Sequence, residues 1–166
     1  MSLLERLKAD DLTAFDEIYS TTNKNVYYTI YLIVKSRETA EDLMQETYLS
    51  FLDYAKKLKK DEEITPFLVS SAKNKAINYY NRHRMEQEYA QMLRTYSYDT
   101  DKWLDTGLLD KIKGILSEKE CEVFLLHVLG EYSFKEISKI TGIPIGTLTW
   151  SYSESRKKLL EVFGGE

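Results

Sequence analysis

The sequence predicts an all-α protein of two small helical domains, the C-terminal one a helix-turn-helix. Three observations carry that expectation. Apolar residues recur with helical spacing almost throughout. Only two prolines and seven glycines interrupt the 166 residues, which leaves room for long helices. One stretch, TYSYDTDKWLDTG at residues 95–107, loses the apolar period and collects acids and small polar residues, as a linker does. It divides the chain into residues 1–94 and 108–166, a size that suits two small domains.

In the first domain, Leu12, Phe15, Ile18 and Tyr19 share a helix face. Val26, Tyr27, Ile30, Ile33 and Val34 continue it, with a kink expected at Asn23-Lys24-Asn25. Ser36 is the expected N-cap of the next helix, with Thr39 the second choice. That helix runs through Ala40, Leu43, Met44, Thr47, Phe51 and Leu52. Residues 56–65, KKLKKDEEIT, read as a loop whose paired acids Asp61, Glu62 and Glu63 are solvated. Pro66 fits the first turn of a third long helix, Phe67 to about Met92.

The second domain starts near Leu108. Ser117 followed by Glu120 is a capping box ahead of Val123, Phe124, Leu126 and Leu129, and Gly130 closes that helix. Ser133 with Glu136 repeats the box before Ile137 and Ile140. Gly142 supplies a turn, and Pro144 begins a last helix through Leu148, Tyr152, Leu159 and Leu160. A short helix, a glycine turn and a longer helix form a helix-turn-helix signature.

Charge and composition narrow the function classes. Net charge is −4, so no overall positive field draws the chain to nucleic acid. The basic charge is local: residues 66–94 sum to about +3 and residues 1–65 to about −4. The single cysteine, Cys121, can form no internal disulfide and reads as a small buried helix residue. His83 and His127 lack metal-ligand spacing. No phosphate loop, nucleophile motif or metal spacing appears, so neither an enzyme nor a cofactor is expected. No stretch resembles a signal peptide or a membrane span, which makes the cytoplasm the expected compartment.

Three stretches carry interaction chemistry. In AEDLMQETYLSF, residues 40–51, the residues Glu41, Asp42, Gln45 and Glu46 form an acidic strip opposite the apolar face. It is either a solvated face or a docking strip for a basic partner. In PFLVSSAKNKAINYYNRHR, residues 66–84, the side chains of Lys73, Asn74, Asn78, Tyr79, Arg82 and His83 or Arg84 fall on adjoining faces. Amides can read base edges, cations can hold phosphates and tyrosine can stack on an unpaired base. The alternative is a surface helix with core tyrosines. The last helix offers Thr147, Thr149, Trp150, Ser151 and Ser153, then an acid, Glu154, and only then Arg156, Lys157 and Lys158. Trp150 is either an exposed contact or part of the domain core.

In this order the motifs resemble the extracytoplasmic-function group of bacterial RNA polymerase sigma factors. DDLTAFDEIY at 10–19, AEDLMQETYLSF, FLVSSAKNKAINYYNRHR and LSEKECEVFLLHVLGEYSFKEISKITGIPIGTL at 116–148 carry the likeness over nearly the whole chain. The resemblance implies two helical domains on a flexible linker. It implies that Glu41, Asp42, Gln45 and Glu46 meet the clamp of the largest polymerase subunit. It implies that the loop at 56–65 helps capture an unpaired promoter base beside Asn74, within the minus-ten element. It implies that the C-terminal domain sits on the flap of the second largest subunit and reads the minus-thirty-five element, for which this chain offers Thr147, Thr149, Ser151, Arg156 and Lys157. An anti-sigma factor restrains many members of the group.

The sequence departs from the pattern mildly at Asn78, often Asp, and at Phe67, often Trp. The larger departure is at Thr149, Trp150 and Ser151, where the family carries Lys, Ser and Arg, followed by Ser153 and Glu154 where it is basic. Helix N-terminal amides, Thr and Ser can still contact DNA. The expected function is an initiation factor that binds core polymerase and directs promoter recognition and melting. The alternative is a sigma-like protein that binds polymerase or an inhibitor, with weakened upstream recognition. An ordinary helix-turn-helix regulator using residues 108–166 alone leaves the earlier motifs unexplained.

Overall fold

The computed structural model describes residues 1–93 and 106–164. It divides into two units, Met1–Thr95 and Tyr96–Glu166. Every regular element among the described residues is an α-helix or a single 3-10 turn. Apart from Thr106 and Gly107, the linker expected at 95–107 lies outside the described residues.

The first unit opens with α1 (Leu3–Lys8), a short helix that no periodicity announces. Next come α2 (Leu12–Val34), α3 (Arg37–Tyr54) and α4 (Ile64–Leu93). The three long helices pack on one another, and α2 is the central one: Val26–Ile30 and Leu32–Val34 are all buried. Lys35 and Ser36 alone join α2 to α3. Lys35 ends α2 in the left-handed region, its N–H donating to the Tyr31 carbonyl at 2.7 Å. Ser36 caps α3, accepting from Thr39 N–H at 3.3 Å, as expected of the first choice.

The expected kink at Asn23–Asn25 is absent, and α2 runs through it. Lys24 and Asn25 point outward while Thr22 and Val26 on either side are buried. Packing of that flank outweighs the few tenths of a kcal/mol that asparagine costs a helix, about 0.7 at most. Thr22 Oγ1 donates to the Ile18 carbonyl and accepts from the Tyr48 hydroxyl at 2.6 Å, tying α2 to α3. Burial pushes the Tyr48 phenol up to about 12, so it remains a donor. Leu12, expected on the packed face, is 77 % exposed because it is the first residue of α2 and no other element covers it. Tyr19 and Leu52 are likewise exposed at the edges of their apolar stripes.

The expected loop between α3 and α4 contains two single turns, Ala55–Lys57 and Asp61–Glu63. Pro66 lies in the first turn of α4, as expected. The helix changes direction at His83, whose φ of −113° and ψ of 16° are not helical.

The second unit comprises α5 (Thr106–Ile115), α6 (Glu118–Val128), α7 (Phe134–Thr141) and α8 (Ile145–Phe163). Both capping boxes form: Ser117 with Glu120, and Ser133 with Glu136. Gly142, at φ 76°, ends α7 in a conformation that favours glycine and turns the chain into α8. Pro144 is the residue just before α8. Helices α6, α7 and α8 pack on Cys121, Val123, Leu126, Ile137, Leu148 and Leu159, with Tyr132 fully buried among them. His127 stacks on Phe134 at 4.2 Å and meets Tyr152 edge-on at 4.8 Å. Burial pushes the Cys121 thiol up, as suits an inert core residue. Leu160, expected inside with Leu159, is exposed, since Leu148, Ser155 and Leu159 already fill the inner stripe of α8.

Candidate functional site

The first candidate surface lies on α3. Ala40, Leu43, Met44 and Thr47 are buried, which leaves Asp42, Gln45 and Glu46 exposed and Glu41 half-exposed on the far side. The helix therefore gathers all four onto one outward surface. Arg37 Nε lies 3.2 Å from Glu41 Oε1, one turn earlier. Such an exposed i,i+4 pair contributes only about 0.3–0.5 kcal/mol, so a basic partner can displace it. Sequence reasoning missed Leu49, 63 % exposed one turn beyond Gln45. The i,i+4 spacing was the available signal: a leucine in the row of an outward glutamine must face outward too. With Leu52 it adds an apolar end to the acidic strip. Charge can orient a partner there while the leucines supply apolar area.

The second surface lies on α4. Its buried row is Leu68, Ala72 and Ala76. Asn74, Asn78 and Arg82, spaced by four, form one exposed row, and Arg82 Nε donates back to the Asn78 carbonyl at 3.4 Å. Lys73 is half-buried on a neighbouring flank, and Arg84 is exposed beyond the change of direction. Tyr79 is half-buried and stacks on His83 at 4.2 Å, so it braces the kink as well as offering a ring edge.

The loop before α4 adds a third group. Lys56, Lys57, Lys59 and Lys60 are all exposed. Lys57 Nζ stands 5.4 Å from the ring centre of Tyr54, which stacks on Phe67 at 4.7 Å. Glu62 is exposed, as expected, but Asp61 and Glu63 are not simply solvated. Asp61 accepts the N–H groups of Leu3 and Leu4 at 2.8 and 3.0 Å. Burial opposes ionisation of Asp61, but hydrogen bonds from Leu4, Leu3 and Ser2 outweigh it and hold the carboxyl below its usual range. Glu63 accepts Lys59 and Lys60 N–H at 2.8 and 3.1 Å, bonds that lower its carboxyl as well.

The fourth surface is α8. Thr147 and Thr149 are exposed in its first turns, and the Thr149 hydroxyl donates to the Gly146 carbonyl at 3.0 Å. Ser151 is half-buried on the flank. Trp150 is 67 % exposed, which answers the question left open by the sequence: its ring is outside the core. Arg156 and Lys157 are exposed as expected, but Lys157 Nζ pairs with Glu154 at 3.4 Å. Lys158 reaches both carboxylate oxygens of Glu120 on α6, at 2.9 and 3.0 Å. The Lys158 ammonium holds Glu120 below the usual range against opposing burial. Two of the three clustered cations of α8 are thus matched by acids of the same unit. The Lys157 pairing was foreseeable from i,i+3 spacing; the Lys158 pairing joins residues 38 apart and was not.

Among the described residues no cluster of His, Cys, Asp and Glu could hold a metal ion, and no helix is long and apolar enough to cross a membrane. Comparison with known proteins supplies the frame for these surfaces. The Sigma-70 region 2 family matches residues 18–86, and the Sigma-70 region 4 family matches residues 107–159. RNA polymerase sigma factor CarQ of Myxococcus xanthus is 26 % identical over 97 % of this chain and 95 % of its own length. ECF RNA polymerase sigma factor SigX of Bacillus subtilis is 24 % identical over 75 % of this chain and 71 % of its own. Among solved structures, the sigma factor RpoE in complex with the anti-sigma factor NepR from Bartonella quintana aligns over 92 % of this chain and 98 % of that one, with TM-score 0.47 and 18 % identity.

Proposed function

The chain belongs to the sigma-70 family of RNA polymerase sigma factors, in its extracytoplasmic-function group, and from that premise we propose how its residues divide the work of initiation. A sigma factor binds core RNA polymerase and directs transcription initiation at promoter DNA; such factors are DNA-binding regulators and generally not enzymes. In our reading Glu41, Asp42, Gln45 and Glu46 dock the unit spanning residues 1–94 on the polymerase clamp, with Leu49 at the apolar end of the strip. Asn74, Asn78 and Arg82, flanked by Lys73, Tyr79 and Arg84, engage the opened minus-ten element. The loop at 56–63 captures an unpaired base. The unit at 108–166 lies on the flap and meets the upstream element through Thr147, Thr149, Ser151, Arg156 and Lys157. The cytoplasm, where polymerase works, is the compartment this role requires, and an anti-sigma factor is a further candidate partner.

The observation that carries this reading is the single outward acidic surface of α3, presented on a chain that matches both family regions in order. The double charge reversal Asp42→Lys, Glu46→Lys tests it. Because the strip is outward, the variant should keep the wild-type helical signal and melting temperature. It should lose co-purification with core polymerase and run-off transcription on a genomic fragment library. A variant that still co-purifies removes the docking assignment.

A second reading, a polymerase-binding sigma-like protein with weakened upstream choice, draws support from α8. Its Lys157 and Lys158 are paired with Glu154 and Glu120, and Trp150 is the most exposed of its large apolar side chains. Transcription from templates whose upstream element is scrambled separates the two.

A further inference from the structure

We infer that α1 is a clamp that holds the loop at 56–63 in its base-capturing conformation, with Asp61 and Lys8 as positioning residues; this rests on the capture role proposed above. The loop alternates anchors and cations along its length. Leu58 is buried, and its carbonyl accepts a hydrogen bond from Lys8 Nζ at 2.7 Å. Asp61 takes the Leu3 and Leu4 N–H groups at 2.8 and 3.0 Å. Ile64, where α4 begins, is buried. Lys56 and Lys57 ahead of Leu58, and Lys59 and Lys60 between Leu58 and Asp61, stay exposed. The KKLKK run is therefore a cationic rim turned outward from a backbone pinned on its inner side.

Three of these hydrogen bonds come from α1. Leu4 is 1 % exposed, so α1 is seated in the core of the unit and cannot drift with the loop. The capping box of α1 satisfies the Ser2 and Glu5 amides and leaves those of Leu3 and Leu4, so Asp61 completes the cap of α1 from within the loop. Ser2 Oγ accepts from Glu5 N–H at 3.1 Å, and Glu5 Oε2 accepts from Ser2 N–H at 2.8 Å. What the Asp61 carboxylate adds is a connection across 57 and 58 residues, from the loop to a seated helix. Glu63 completes the arrangement by holding the Lys59 and Lys60 N–H groups inside the loop. A loop fixed in advance spares the ordering cost that a loose one meets when a strand binds, and it keeps one base-sized opening rather than many.

The test uses the full chain bound to core polymerase, with Asp61→Asn and Lys8→Met as variants. Asparagine keeps the shape of Asp61 and removes the charge-assisted bonds to two amides. The probe is a random single-stranded DNA pool of about 12 nucleotides, sequenced before and after capture by the holoenzyme. Backbone hydrogen exchange at residues 56–63 is measured alongside. Wild type is expected to enrich one base at a fixed position. In each variant exchange in the loop should rise and that enrichment should fall about tenfold, with core binding held within about twofold. A loop that exchanges faster while enrichment stays at the wild-type level overturns the positioning role and leaves the capture reading intact. Unchanged exchange in both variants overturns the clamp itself. A wild-type chain that enriches no base overturns the capture reading, and the positioning role with it.

Discussion

Helices α4 and α8 lie in the parts of the chain that match the Sigma-70 region 2 and region 4 families, and their charges are arranged differently. On α4 the exposed row is Asn74, Asn78 and Arg82, and the loop ahead of it shows four outward lysines. Two of the acids in that loop are turned to other work: Asp61 binds α1 and Glu63 binds its own loop. On α8 the acids lie among the cations. Glu154 pairs with Lys157 at 3.4 Å, and Glu120 reaches across from α6 to Lys158. The difference teaches that a count of basic residues does not measure a DNA surface. An exposed ion pair is easily broken, at a cost of about 0.5 kcal/mol. Yet the carboxylate it leaves behind stays beside the phosphates and cancels the counterion release its lysine would contribute.

The largest effect is expected on α4. Replacing Asn74 or Arg82 by alanine should lower open-complex formation on promoter DNA by about 10- to 100-fold, following the loss of base or phosphate contacts of about 1–3 kcal/mol each. Core binding should change little, because both side chains lie on α4 rather than on the acidic strip of α3. Permanganate footprinting beside a core-binding assay reads the two; equal losses in both would mean a folding defect.

A smaller gain is expected on α8. The substitutions Thr149→Lys, Ser151→Arg and Glu154→Gln should together tighten duplex binding by the full chain about tenfold and steepen its salt dependence, by about 0.9 in log–log slope for each phosphate newly contacted. The gain should appear on many sequences, because phosphate contacts position a helix without choosing bases. Tight, salt-steep binding by the wild-type chain would show that its own acids do not limit α8. The smallest effect is on stability. Trp150→Ala should shift unfolding by less than about 0.5 kcal/mol, as an exposed substitution does. A buried aromatic would lose about 3–5 kcal/mol. Denaturant titration decides between the two, and a large loss would place the ring in the core after all.

Much of the fold is legible locally. Ser36, Ser117 and Ser133 start their helices where the cap patterns predict, because a cap is a hydrogen bond between residues two or three apart. Gly142 ends α7 for an equally local reason, a positive φ. The helical spacing of Ala40, Leu43, Met44 and Thr47 alone sent Asp42, Gln45 and Glu46 outward. The order of the four motifs, read along the chain, pointed to the family before any coordinate did.

Other features belong to the tertiary structure. Helix α1 is too short to show a period, and it is held by Asp61 from far along the chain. The continuity of α2 through Asn23–Asn25 depends on what Thr22 and Val26 pack against, which asparagine propensity cannot reveal. Helical spacing gives no guide to the loop at 56–63, where Leu58 is buried and its carbonyl is met by the Lys8 ammonium from α1. Trp150 lies outside the core because Leu148, Ser155 and Leu159 already occupy the inner stripe of α8. Short-range hydrogen bonds and backbone preferences are written into neighbouring residues; which flank of a helix is covered, and which charge finds a partner, is settled only when distant segments meet.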